Sequence, residues 1–179
     1  ENLEYLWLSG VEENAIPKTI GNLEKLNYLA VDMPVESLPS SFWNLENLET
    51  LNLYKTRITN IPEGLGNLRK LETLDLPRSL ETLPEGICNL INLKVLNLLS
   101  TRITNIPEGL GNLKRLEKLY MPLSAENCPR SIGNLKNLEF LYWSTSLEIF
   151  PEGIGNLVNL KKLDIANRQN FKEIPDLSK

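Results

Sequence analysis

Residues 56–68 read TRITNIPEGLGNL, and residues 101–113 repeat the same thirteen letters at an offset of 45. Internal repetition constrains a chain more than composition does, because like segments fold alike and stack on one another. A shorter pattern of the Leu-x-x-Leu-x-Leu type runs inside it. It starts at Leu3, Leu26, Leu48, Leu71, Leu93, Leu116, Leu138 and Leu160, with spacings of 23, 22, 23, 22, 23, 22 and 22. Eight units result, the last incomplete, and 23 with 22 makes the longer period of 45. Growth by duplication of a two-unit block accounts for this alternation.

Each unit has one grammar. Alternation such as Leu51-Asn52-Leu53 puts leucine on one face and the intervening residue on the other, so it predicts a short strand. Eight to ten residues later comes an apolar-proline step at Pro17, Pro39, Pro62, Pro84, Pro107, Pro129, Pro151 and Pro175. Proline lacks an amide hydrogen and suits the first turn of a short helix or 3₁₀ segment. The following Glu63, Glu85, Glu108 and Glu152 are expected near the positive end of that segment. Asn22, Asn44, Asn67, Asn89, Asn112, Asn134 and Asn156 each precede leucine. An amide repeated at one buried corner is expected to satisfy backbone groups that a tight coil leaves unpaired.

These residues resemble the leucine-rich repeat pattern, L-x-x-L-x-L followed by I/L-P-x-x-[IL]-G-N-L, over the whole chain. The resemblance implies a right-handed solenoid, or horseshoe. A parallel sheet would line its concave face, with short helical or 3₁₀ turns on the convex side. Residues 1–179 form one such domain of about eight repeats, expected to be a fragment without caps. Most of the family has asparagine at the ninth position. Here that position reads Val11, Pro34, Thr56, Ser79, Thr101, Ser124, Ser146 and Arg168. A threonine and serine hydroxyl ladder can replace part of the asparagine ladder. The form LNLYKTRITNIPEGLGNLRKLETLDL is similar to the repeats of intracellular plant nucleotide-binding immune receptors, and to Ras-interacting scaffold repeats and some bacterial ones.

In a solenoid the core positions are spoken for, so binding information lies in the outward positions. The third column reads Tyr5, Tyr28, Thr50, Thr73, Val95, Lys118, Phe140, Lys162. The fifth reads Trp7, Ala30, Asn52, Asp75, Asn97, Tyr120, Tyr142, Asp164, and the seventh Ser9, Asp32, Tyr54, Pro77, Leu99, Pro122, Ser144, Ala166. Leu99, Tyr120, Leu123, Phe140 and Tyr142 fall in three successive units. With strands about 4.8 Å apart they can form one apolar patch. Such a patch is either a partner-binding hot spot or cross-strand packing. Tyr54, Asn52, Asp75 and Asn97 extend the candidate surface along polar positions. A second cluster, Tyr5, Trp7 and Tyr28, is expected to be covered by preceding repeats or a cap. Trp143 takes an inward leucine position, and Trp43 stands where glycine usually stands on the convex turn.

The chain has no histidine, so no serine or threonine can be activated in the usual way, and no G-x-x-x-x-G-K-[ST] phosphate loop occurs. The reading is therefore not an enzyme, with no cofactor and no metal. Nineteen basic against 23 acidic residues give a net charge of −4, and no basic stripe suggests nucleic acid. The apolar runs are too short for a membrane span. No Asn-x-Ser/Thr sequon occurs among 21 asparagines, and Cys-rich caps are absent, which favours a cytoplasmic or a bacterial setting. Two cysteines make no disulfide framework; Cys88 and Cys128, two units apart, are expected to be free thiols. Two functions fit: a module that binds a protein partner on its concave sheet, as the sensor part of an intracellular immune receptor would, or a structural array packing against flanking domains.

Overall fold

The alternating leucines form strands at the expected places. The computed structural model describes residues 2–10, 16–143 and 150–165. Its strands are β1 (Tyr5–Ser9), β2 (Tyr28–Asp32), β3 (Thr50–Asn52), β4 (Thr73–Asp75), β5 (Val95–Asn97), β6 (Lys118–Tyr120), β7 (Phe140–Trp143) and β8 (Lys162–Ile165). All pair in parallel and in chain order, in one eight-stranded sheet. Leu29, Leu51, Leu74, Leu96, Leu119, Leu141 and Leu163 stand opposite one another across that sheet. Between strands the chain returns through 3₁₀ helices, such as Glu63–Asn67 and Glu108–Asn112. The result is a right-handed leucine-rich repeat solenoid, the hand that parallel crossovers take.

One continuous core runs through the coils. Leu51, Leu53, Leu65, Leu68 and Leu71 are fully buried in one coil, and Leu96, Leu98, Leu110, Leu113 and Leu116 in a later one. Each such leucine contributes about 1.5–3 kcal/mol by leaving water, but no coil can shield its own face, so stability comes from stacking. Trp143 is fully buried and stacks on Phe150, with ring centroids 4.6 Å apart, so it fills core.

The convex turns depart from expectation in two ways. Proline precedes the 3₁₀ helix instead of opening it. Pro62 and Pro107 are extended (ψ 166° and 142°), and their carbonyls accept the first bonds, from Leu65 and Leu110 at 3.1 and 3.0 Å. Second, the repeated asparagines are exposed, not at a buried corner. Asn67 ends its helix, and its carbonyl accepts from Arg69 N–H at 2.8 Å around Leu68 (φ −78°, ψ 57°), an inverse γ-turn. The bend needs the asparagine's backbone, not its amide. The glutamates stand in the first turns of their own helices, as expected, and Glu63 and Glu108 also reach the next coil. Glu63 accepts from the N–H groups of Glu85 and Gly86 at 3.2 and 2.6 Å, and Glu108 from those of Arg130 and Ser131, both at 3.2 Å. The carboxylate therefore sits on the positive end of the following helix.

The hydroxyl ladder forms and alternates. Thr56 and Thr101 are buried and donate within their own coils, to Leu53 and Leu98 carbonyls at 2.8 Å. Ser79 and Ser124 donate across, to Ile58 and Ile103 carbonyls at 2.7 and 2.6 Å. A ladder that composition did not announce lies where each coil begins. Lys25 donates to Asn2, Lys70 to Asn47 and Arg115 to Asn92, while the Asn47 and Asn92 amides donate to the carbonyls of Glu24 and Arg69.

Candidate functional site

The outward side chains of the central strands stand in one row: Asn52, Asp75, Asn97, Tyr120, Tyr142, Asp164. Those up to Tyr142 are half-buried, because neighbouring strands flank each residue on both sides. Asn52 Oδ1 accepts from Tyr54 N–H at 3.0 Å, and Asn97 Oδ1 from Leu99 N–H at 3.1 Å. These local bonds leave the amide nitrogens free to turn across the sheet, and Asn97 Nδ2 donates to Asp75 Oδ1 at 3.1 Å.

Further along, the row becomes aromatic. Tyr120 and Tyr142 are register partners on β6 and β7. Phe140 tilts toward Tyr120, with centroids 5.1 Å apart, and Lys162 Nζ lies 5.1 Å from the Phe140 centroid. Leu99 is half-buried and Leu123 is 47% exposed; the Leu123 N–H donates to the Leu99 carbonyl at 3.3 Å. The five residues of the expected patch thus occupy adjoining coils.

The seventh column is not uniformly outward. Pro77 and Pro122 are buried, which corrects their placement among the exposed positions. Tyr54 in that column is engaged: Arg78 donates to its hydroxyl, and the guanidinium carbon lies 4.5 Å from its ring centroid. The Arg78 hydrogen bond, then one with Ser100, hold the Tyr54 phenol below its ordinary pKa. Residue numbers alone hid this pair, since the partners sit 24 apart in different columns.

Among the described residues three ion pairs on this face cross between coils, Lys55 with Asp32 at 2.7 Å, Lys94 with Glu72 at 2.8 Å and Lys161 with Glu139 at 2.7 Å, and Lys162 pairs with Asp164 along β8 at 3.4 Å. Most are solvent-exposed and contribute at most about 1 kcal/mol each. At the amino-terminal end Tyr5 stacks on Tyr28, with centroids 4.2 Å apart and planes 8° from parallel. Their mutual hydrogen bond is the main cause that raises the Tyr28 phenol pKa. Tyr5 and Trp7 are more than half exposed. Among the described residues no three His, Cys, Asp or Glu side chains converge as a metal site, and no helix is long and apolar enough to cross a membrane.

The family model described as a leucine-rich repeat region matches residues 1–82, 43–121 and 81–179, the whole chain in overlapping windows. The chain belongs to the leucine-rich repeat family. Among solved structures, this leucine-rich repeat chain is similar to a leucine-rich repeat protein of Leptospira interrogans (30% identity, TM-score 0.77), covering 92% of this chain and 44% of that one. It is also similar to the plant peptide hormone receptor RGFR1 in complex with RGF2 (26%, TM-score 0.71; 92% and 30% covered). An internalin of Listeria monocytogenes shares the fold (24%, TM-score 0.76; 93% and 48% covered). The chain spans less than half the length of each. No curated protein matches it.

Proposed function

We propose that this leucine-rich repeat chain is a non-catalytic protein-recognition module that holds a partner on its concave sheet. Leu99, Tyr120, Leu123, Phe140 and Tyr142 are the apolar anchor, and Asn52, Tyr54, Asp75 and Asn97 the polar flank. The observation that carries the reading is the contact group of Tyr120, Tyr142 and Phe140 on an otherwise polar row. Aromatic side chains bring large contact area with few torsions to order, which is why they dominate binding hot spots. The plant receptor's complex with RGF2 supports the reading by likeness.

The setting that the repeat form and the missing sequons support is the sensor part of an intracellular immune receptor. A nucleotide-binding domain encoded upstream in the same gene would support it; a coiled-coil or PDZ-like neighbour would move the reading to a scaffold array.

The binding face is tested with a photo-crosslinking residue at Tyr142, and another at Val158, which is 65% exposed and lies in a turn outside the strands. A partner in extracts of the source cells should crosslink from position 142 and not from 158. Tyr142→Ala should weaken that partner by about 1–4 kcal/mol, and Glu49→Ala much less. If Tyr142→Ala lowers stability while the folded fraction binds as before, the patch is sheet packing and the chain is a structural array.

A further inference from the structure

On the central row, the carboxylate of Asp75 has no cation. Asp32, Glu72, Glu139 and Asp164 each pair with a lysine, while Glu4, Glu49 and Glu117, like Asp75, have no ion pair among the described residues but lie off the central row. Among the described residues Asp75 has no ion pair; its Oδ1 accepts only the neutral amide of Asn97. Its register partners are Asn52 and Asn97, both uncharged. Arg78 follows three residues later but is committed to Tyr54, stacking on its ring and donating to its hydroxyl. A half-buried carboxylate between neutral amides keeps its attraction for a cation better than a fully solvated one does.

The same row turns apolar two strands on. Asp75 lies on β4, Tyr120 on β6 and Tyr142 on β7, so at about 4.8 Å per strand the carboxylate is roughly 10 Å from one ring and 14 Å from the other. An extended peptide advances about 3.4 Å per residue and presents alternate side chains to one surface. A residue over Asp75 and a residue over the tyrosines are then about four positions apart, the even spacing that keeps both side chains on the sheet. Resting on the recognition reading above, we infer that the occupant of this face is an extended peptide segment carrying a lysine or arginine about four residues from a large apolar residue. The cation seats on Asp75, and the apolar side chain on Tyr120, Phe140 and Tyr142.

The test uses a phage-displayed library of random 12-residue peptides selected on the whole immobilised chain. Enriched peptides are synthesised with a fluorophore and titrated against wild type, Asp75→Asn, Tyr142→Ala and Leu123→Asp. Asp75→Asn keeps shape and the Oδ1 acceptor, so it should fold as wild type. Leu123 is exposed and gives a second probe of the patch should Tyr142→Ala melt. The expected result is a shared basic residue at the stated spacing, with affinity at least tenfold lower for Asp75→Asn. Replacing the peptide's basic residue by glutamine should then cost nothing further on that variant. Raising sodium chloride from 50 to 500 mM should weaken wild type and leave Asp75→Asn unmoved. Peptides that need Tyr142 or Leu123, yet bind Asp75→Asn as tightly as wild type, overturn this inference and leave the recognition reading standing. Peptides indifferent to Tyr142 and Leu123 overturn both.

Discussion

Cys88 and Gly109 face each other across consecutive convex turns, so closely that a Cβ on Gly109 would lie 2.6 Å from the Cys88 sulfur. Trp43 and Gly64 repeat the relation, with 3.2 Å to the Trp43 Cβ. Where the later turn carries serine, at Ser41 and Ser131, the earlier one carries glycine, at Gly21 and Gly111. Bulk on one turn is matched by its absence on the next. Gly109→Ala should therefore destabilise the chain by about 1–3 kcal/mol through overpacking. Adding Cys88→Gly should return part of that loss. Urea unfolding of both single variants and the double reads the coupling; strictly additive changes would show that the two turns do not touch.

Glu108 binds the backbone N–H groups of Ser131 and Arg130, and these bonds hold its carboxyl below the ordinary glutamate pKa. A group lowered in the folded state adds stability above its unfolded pKa and loses it as pH falls through the folded one. The urea midpoint of Glu108→Gln should lie below that of wild type at pH 7. The gap should close on acidification past the ordinary glutamate range, and a gap that is constant from pH 7 to pH 3 would contradict the bond.

Thr56 is buried and donates to the Leu53 carbonyl. Thr56→Val keeps the shape and removes the donor, at a cost of about 1 kcal/mol. Thr82, exposed in a loop with its hydroxyl on Asn60, should tolerate valine within about 0.5 kcal/mol. Thermal melts of the two variants compare them directly.

Cys88 and Cys128 are free, and burial pushes their thiols up to about 11 and about 12. The thiolate is the reactive form, so both should resist a colorimetric thiol reagent at pH 8 in the native chain and react fully in guanidinium. Fast labelling of either in the native state would contradict the packing around it.

The strands were legible because a period of two fixes which residues face the core. Every expected leucine of β2 to β7, from Leu29 to Leu141, stands in register and buried. The convex side was not, because its decisive bonds join residues 20 to 24 apart. That Glu63 and Glu108 reach beyond their own helices to Gly86 and Ser131 depends on how one turn overlies the next. On the candidate site, Tyr120 and Tyr142 followed from column counting. The commitment of Arg78 to Tyr54 did not, since a cation's choice among neighbours is set by distance and competing partners. The tails beyond residue 165 and residues 1 and 11–15, where a cap would have shown itself, lie outside the described residues, as do Ser144, Ser146, Ala166 and Arg168.

The ladder at the start of each coil bears on how such an array can change length. Lys25, Lys70 and Arg115 each donate to an asparagine one coil back, so cation and amide alternate from Asn2 to Asn137. Excising one coil from this stretch by unequal crossing-over would set amide on amide or cation on cation, and could leave Cys88 against Ser131. Excising two restores each pairing. Exchange of a pair of coils, 45 residues, thus keeps every cross-coil pairing of this stretch.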